Sequence, residues 1–393
     1  MMSEQWPVKT LGELCKTTSG STPSKSNKNY HTDGTIPWLL SGEVNKREIT
    51  ESKNFITNLA LENTSVKMFP PNTVLVAMYG ATAGQVGILR FSSTTNQAVC
   101  GILPNENIIP EYLYYAIKNV NSELVAKASG SAQPNLSQEK IKAMSIPVPS
   151  LEEQQRIVNI LDEAFKNIEN QTRKTEQKMN TGDEFLNSYI YKIFSEGGKN
   201  WTEKTIEETC KLISGQHILA ADYNILGNGI GYLTGPADFG IENPVIKRWT
   251  EKPKVTAVPG DILITVKGSG VGKINRLSEE EVAISRQLMA IRSNGEIDGK
   301  FLFYFISIQY DMFQGLATGA AIPGISRSDV LKLQIPYPPL NEQIRIVKRF
   351  DEFTNQSKEF SKICDVEIDS LSELKQSILQ EAFNGNLTKE ITA

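Results

Sequence analysis

At 393 residues the chain exceeds one small core and has room for two domains of roughly 100 to 200 residues each, needing no disulfide staples. Its net charge of −4, from 41 basic and 45 acidic residues, lacks the basic footprint of most nucleic-acid binders, so any contact with phosphate must come from particular segments. No apolar run approaches the ~18 residues of a membrane span and none follows a basic N-terminus, which argues against a membrane span and a signal peptide and sets a cytoplasmic location as the expectation.

From the N-terminus, Trp6, Lys9, Thr10, Glu13, Cys15, Lys16, Ser19 and Gly20 form the opening, with Cys15 near a predicted first strand. A polar, basic stretch from Ser24 to Lys46 follows. The apolar run Val74 to Met78 reads as a strand, and Gly80-Ala-Thr-Ala-Gly84 as a tight turn. Pro110 to Lys118 has the spacing of a helix with an aromatic core face. Pro147-x-Pro149 forces extended backbone and marks a boundary. Beyond it, Ile157, Leu161, Ala164, Phe165 and Ile168, then Met179, Leu186, Tyr189, Ile190 and Ile193, recur mostly at steps of three and four and predict a long helix whose middle, Gln171 to Asn180, is polar.

The second half repeats the first. Residues 335 to 352, IPYPPLNEQIRIVKRFDE, match 146 to 163, IPVPSLEEQQRIVNILDE, at eleven of eighteen positions with an offset of 189. Ala128-x-Gly130-x-Ala132-x-Pro134-x-x-Ser137 recurs as Ala317-x-Gly319-x-Ala321-x-Pro323-x-x-Ser326. Trp201, Lys204, Thr205, Glu208 and Cys210 match the opening, Ile262 to Val266 and Gly268-Ser-Gly-Val-Gly272 match the strand and turn, and Gly299 to Ile306 matches the helix. Ser24 to Lys46 has no counterpart in Gln216 to Pro236. The chain is therefore a tandem duplication of a variable globular region plus a helical arm. Val347, Phe350, Phe353, Phe360, Cys364, Ile368, Leu371, Leu374, Ile378 and Ala382 trace the second arm.

Charge divides along the same lines. Residues 1 to 147 are net +2, 199 to 336 neutral, and the arms at 148 to 198 and 337 to 393 are −3 each. Phosphate contacts thus belong to the globular regions, and the acidic helices suit protein partners. Duplicated helices entered from like domains pack most simply as an antiparallel pair with a pseudo-two-fold axis. At ~1.5 Å per residue, arms of about 35 to 40 residues would space the domains roughly 50 to 60 Å apart. The plain alternative is a dimerisation coiled coil.

Signatures of chemistry fail on inspection. Lys267-Gly-Ser-Gly-Val-Gly-Lys273 has lysine where a phosphate loop needs glycine, and Ile274 where it needs Ser or Thr. Asn243-Pro244 lacks the second proline and the aromatic of a base methyltransferase. Glu373-Leu-Lys375 lies on an arm with no companion acid. The four cysteines, Cys15, Cys100, Cys210 and Cys364, have no CxxC spacing, and His31 and His217 are the only histidines, so buried thiols and no metal site are expected.

These residues resemble a known family, the specificity (S, HsdS) subunit of type I restriction-modification systems. The resemblance rests on the Trp-x-x-Lys opening, Ser-Gly-x-Thr-Pro-Ser-Lys25 leading to Gly34-Thr-Ile-Pro-Trp38, the Gly-Ala-Thr82 turn with Asn96-Gln97 downstream, the doubled Ile-Pro-x-Pro-x-Leu-x-Glu-Gln-x-Arg-Ile-Val block, and Leu374 to Phe383 with Gly385 and Leu387. It implies an α/β (α+β) fold with two target recognition domains, 1–147 and 199–336, separated by two long antiparallel helices, the spacers 148–198 and 337–393. It implies a non-catalytic chain that reads a split site in double-stranded DNA and docks two methyltransferase (M) subunits, through which translocase/nuclease (R) subunits join. S-adenosylmethionine, ATP and Mg would sit on those partners, with no cofactor on this chain and no membrane partner.

Base edges require side chains with distinct donors and acceptors, and phosphates require Lys and Arg. In domain one the expected DNA-binding residues are Ser24, Lys25, Lys28, Asn29, Tyr30, His31, Lys46, Arg47, Tyr79, Thr82 and Gln85. In domain two they are Gln216, His217, Tyr232, Lys267, Ser269, Lys273 and Arg286, although Gln-His-Ile replaces Thr-Pro-Ser-Lys after Gly215. Trp6 and Trp38 are expected as core anchors, and Gln97 and Gln287 as residues that tie a loop to the sheet. The expected partner surface is Glu153, Gln154, Arg156, Ile157, Glu342, Gln343, Arg345 and Val347, with helix capping as the alternative role. The alternative function is a non-DNA scaffold with two duplicated ligand-binding domains on a coiled-coil spacer.

Overall fold

The computed structural model describes residues 6–127, 136–241, 243–317 and 323–387; most of the Ala-x-Gly-x-Ala motif in each half lies outside them. The chain forms two compact units. The first comprises Met1–Thr175 with Val366–Ala393, and the second Glu176–Asp365.

In the first unit a five-stranded sheet runs in the order Thr17–Ser19, Val99–Ile102, Val74–Ala77, Val86–Leu89, Glu48–Ile49. Its central strands are buried at every position, because alternate side chains enter two different cores. Val74, Val76, Ile88 and Cys100 pack with Tyr112, Tyr115 and the arms, whereas Leu75, Ala77, Leu89 and Val99 pack with Leu39, Val44 and Phe69. Gly101 is required there, since a Cβ would sit 2.3 Å from the Phe69 ring. A smaller sheet, Phe55–Ile56, Ile36–Leu39 and Thr94–Thr95, holds Trp38, with Ile36 and Ile56, in a third core.

The second unit repeats this plan. Its main sheet runs Cys210–Ser214, Leu288–Ser293, Ile262–Thr265, Ile274–Arg276, with Ile262 and Ile264 in one core and Leu263 in another. Its smaller sheet is Trp249–Thr250, Ile230–Leu233, Val282–Ile284, Thr256–Ala257. All four cysteines are free and buried, and burial pushes the Cys100 thiol up to about 12.

The shared opening is a helix cap. Thr10 Oγ1 accepts from Glu13 N–H while the Glu13 carboxylate accepts from Thr10 N–H, and Thr205 and Glu208 do the same. Each opening strand then pairs antiparallel with the strand before an arm, Val8–Thr10 with Ser145–Pro147 and Thr202–Thr205 with Gln334–Tyr337.

The arms are the helices Leu151–Glu196 and Leu340–Phe383, of 46 and 44 residues, longer than the sequence expectation. The polar stretch Gln171 to Asn180 stays helical because no proline interrupts it. The first arm ends where Gly197, at φ 59°, takes the left-handed conformation that closes helices. In the first unit the helices run antiparallel: Gln171 Nε2 donates to Glu367 at 3.1 Å and Lys375 Nζ to Glu169 at 2.9 Å. Leu379, Ala382 and Phe383 enter the core there, which anchors the C-terminal motif. In the second unit Tyr189 stacks on Phe353 at 5.1 Å and Phe194 meets Phe350 at 5.8 Å, again antiparallel.

Candidate nucleic-acid interface

In an antiparallel sheet the end of one strand lies beside the start of its neighbour, so loops distant in sequence converge. In the first unit the chain following Ser19 and Ala77 meets the chain preceding Val99 and Val86. In the second, the chain following Ser214 and Thr265 meets that preceding Leu288 and Ile274.

The backbone at these two ends is the same. Gly84 N–H donates to Ala77 O at 2.8 Å, and Gly272 N–H to Thr265 O at 2.9 Å; Gln85 donates to Thr82 and Lys273 to Gly270, both at 3.0 Å. Gly84 and Gly272 have φ of 86° and 83°, a region glycine enters without strain. Met78 N–H reaches Ala98 O and Val266 N–H reaches Gln287 O, each at 2.8 Å; Gly20 N–H reaches Val99 O and Gly215 N–H reaches Leu288 O, each at 3.0 Å. An amide from the next helical segment fastens each turn, Asn121 to Gly84 O and Gln314 to Val271 O.

These bonds establish structural equivalence residue by residue. Tyr79 corresponds to Lys267, Ala81 to Ser269, Gln85 to Lys273, Thr22 to His217 and Gln97 to Arg286. Both loops contain a glutamine, but Gln287 matches Ala98, one position away from Gln97. Thr22 Oγ1 donates to Gln97 Oε1, so Gln97 does tie its loop to the neighbouring segment. Tyr79, Gln85, Gln216, His217, Lys267, Ser269, Lys273 and Arg286 are all exposed at these ends, and Thr82 is half-buried within its turn. Lys46 joins the first set, because its carbonyl lies against Gly87 on the adjoining strand.

Ser24, Lys25, Lys28, Asn29, Tyr30 and His31 form a second group over the smaller sheet. Asn27 caps the turn Lys28–Tyr30, Thr57 Oγ1 donates to Asn29 O at 2.8 Å, and Tyr30 and His31 lean on the Trp38 core. Ser24, Lys25, Lys28 and Asn29 are exposed.

Two candidates face inward and are corrected. Tyr232 is 2% exposed and its hydroxyl accepts from Ile218 N–H at 3.2 Å, so it is a core residue. Arg47 turns to the arm, where both Asp162 oxygens accept from its guanidinium at 2.8 and 2.9 Å and its charge lies 5.2 Å above the Tyr115 ring.

The partner candidates divide the same way. Ile157 and Val347 are buried in the two cores. Gln154 and Gln343 are 0% exposed. Gln154 accepts from Ile109 N–H at 2.9 Å and donates to Pro149 O at 3.0 Å; Gln343 accepts from Asp298 N–H at 2.8 Å and donates to Pro338 O at 2.9 Å. With the two glutamines' hydrogen bonds satisfied internally and the two apolar side chains in the cores, these four position the arm against the domain and are unavailable to a partner. Arg156 and Arg345 remain exposed, and Glu153 and Glu342 half-buried.

The joint has a further pair that the sequence reading missed. Tyr115 OH donates to Asp162 at 2.6 Å, and Tyr304 OH to Asp351 at 2.8 Å. Both pairs keep the 189-residue offset, the signal that could have found them. Burial pushes the Tyr304 hydroxyl up to about 12 and Tyr115 higher still. Among the described residues no cluster of three or more His, Cys, Asp and Glu side chains could hold a metal ion, and no helix is long and apolar enough to cross a membrane.

The model of the type I restriction modification DNA specificity domain matches residues 3–178 and again 198–366. A putative type I restriction enzyme MjaX specificity subunit from Methanocaldococcus jannaschii is 32% identical over 63% of this chain and 62% of its own length. The EcoR124I/EcoR124II specificity subunit of Escherichia coli is 33% identical over 39% of each. The chain thus spans about two fifths to three fifths of these relatives. A solved structure described as the basis of complex assembly and conformational transition of the type I R-M system shares the fold, with a TM-score of 0.77 over 98% of this chain and 99% of that one at 24% identity.

Proposed function

This chain belongs to the type I restriction-modification DNA specificity family, and from that membership we propose that it reads a bipartite double-stranded DNA target, one half per unit. The observation that carries the reading is the duplicated sheet end, where one backbone framework presents different side chains in each unit. Lys267, Lys273 and Arg286 would take phosphates or guanine edges, and Tyr79, Gln85 and Gln97, with Lys25, Lys28 and Lys46 beside them, would read the other half. The exposed surfaces of the net-acidic arms, with Arg156 and Arg345 near the helix starts, would dock two methyltransferase subunits and, through them, translocase/nuclease subunits. S-adenosylmethionine, ATP and Mg chemistry belongs to those partners in this reading, and the chain itself is non-catalytic and cytoplasmic. Family membership disfavours the non-DNA scaffold.

Co-expression with its methyltransferase partner, followed by mapping of methylated adenines in the host DNA, tests the proposal. A split motif with a fixed gap is expected. A single contiguous motif, or no new methylation from an assembled complex, would contradict it.

A further inference from the structure

The short helices Gln138–Lys142 and Arg327–Leu331 occupy equivalent places, and each is entered from a segment bonded to the chain that leads into a glycine turn. Leu136 N–H donates to Met78 O and Ile325 N–H to Val266 O, both at 3.0 Å; in the second unit Gly268 N–H also donates to Pro323 O at 2.9 Å. The first residue of each helix then reaches the strand that runs into the neighbouring loop. Gln138 bonds Thr17 and Ser19, and Arg327 bonds Leu212 and Ser214, in each case ending one residue before Gly20 or Gly215. The offset of 189 residues relates these two as well.

The two side chains use their hydrogen bonds differently. Gln138 Nε2 donates to Thr17 O at 3.0 Å and to Thr17 Oγ1 at 3.1 Å, and its oxygen accepts from Ser19 Oγ at 2.9 Å, so both amide donors are occupied. Arg327 donates from Nη1 to Ser214 Oγ at 2.8 Å and from Nη2 to Leu212 O at 3.0 Å. A guanidinium has five N–H donors, so three remain, together with a full positive charge. Both of its acceptors are neutral, no ion pair engages it among the described residues, and the adjoining segment 318–322 contains no acid. Asp329, on the same turn, is committed to the helix cap, accepting from Ser326 N–H at 2.7 Å and from Ser326 Oγ at 2.8 Å.

A guanidinium already gripped by the protein loses little freedom on meeting an anion, and its planar fork of donors suits phosphate oxygens. Arg327 is exposed, and Lys267, also exposed, pairs with Gly324 just ahead of it in the chain. We propose that Arg327 is a further DNA contact of the second unit, taking a backbone phosphate of its half-site, and that the first unit has no counterpart because Gln138 is uncharged and spent on the strand. This assignment rests on the reading of DNA at the duplicated sheet ends and adds to them a cation whose direction is fixed.

Glutamine already makes the strand contacts at this place in the first unit, so Arg327→Gln removes the charge while keeping a side chain the local structure accepts, and Arg327→Lys keeps the charge without the fork. Melting temperature checks both. The complex assembled with the methyltransferase partner is titrated, by fluorescence anisotropy over a salt series, with a duplex carrying its mapped methylation motif and with a scrambled duplex. Arg327→Gln should bind both duplexes about five- to tenfold more weakly and lower the slope of log affinity against log salt by about 0.9, while Arg327→Lys keeps most of that slope. An unchanged slope in Arg327→Gln beside a salt-dependent parent would overturn the assignment and leave the DNA reading standing. Equal losses in the glutamine and lysine variants would make the role structural, and a loss on the motif duplex alone would make Arg327 a base reader; either result contradicts a phosphate contact. A parent complex that ignores both duplexes would overturn the assignment together with the reading beneath it.

Discussion

The turn from Met78 to Gln85 and the turn from Val266 to Lys273 have the same hydrogen bonds and the same two left-handed glycines, yet the first presents Tyr79 and Gln85 where the second presents Lys267 and Lys273. The same holds one loop away, with Gln97 against Arg286. Duplication has kept the elements that fix backbone position and released the side chains that face solvent. A surface built this way can change what it contacts without changing how it folds, since the turns rest on glycine and main-chain bonds and not on the variable groups.

The sharpest way to break that comparison is to make the ends alike. The triple variant Lys267→Tyr, Lys273→Gln, Arg286→Gln should fold normally and lose DNA affinity. The slope of log affinity against log salt should fall by about 0.9 for each phosphate contact removed. Fluorescence anisotropy across a salt series reads both. An unchanged slope would mean that these cations do not meet the backbone.

The joint between domain and arm should respond equally in both units. Gln154→Ala and Gln343→Ala each leave buried main-chain groups unpaired, at about 1 to 3 kcal/mol apiece, whereas the exposed Arg156→Ala should stay within about 0.5 kcal/mol. Denaturant titration distinguishes them. A strongly unequal glutamine pair would show that the repeated block serves different purposes in the two halves.

A smaller effect comes from Tyr304. Its folded-state hydroxyl is raised to about 12 by burial, against about 10 in an unfolded chain, so the unfolded state loses its proton first as pH rises. Stability from this group is fully present below pH ~10 and falls as pH rises between about 10 and 12, an effect on the order of 1 kcal/mol. Tyr304→Phe should flatten that slope.

The sequence carried the duplication, the strands, the helices and the arm starts, because those rest on periodicity, proline and glycine, which leave local marks. The capping boxes at Thr10 and Thr205 were visible as matched residues, although their role was not. What escaped was orientation. Arg47 reads like a DNA contact in a basic stretch, but Asp162, more than a hundred residues on, turns it inward. Tyr232 lies in the short apolar run Ile230-Gly-Tyr-Leu233, a strand signal that could have placed it in a core, and it faces one. Gln154 and Ile157 share a charged helix start, and only the packed domain shows that both point into it.

The central claim is that each unit reads its own half of the target on a common framework. Replacing residues 1 to 145 with the corresponding segment of a relative of different specificity, then mapping methylated adenines, tests it directly. The account predicts that one half of the motif changes while the other half and the gap persist. An unchanged motif, or a change in both halves, would contradict it.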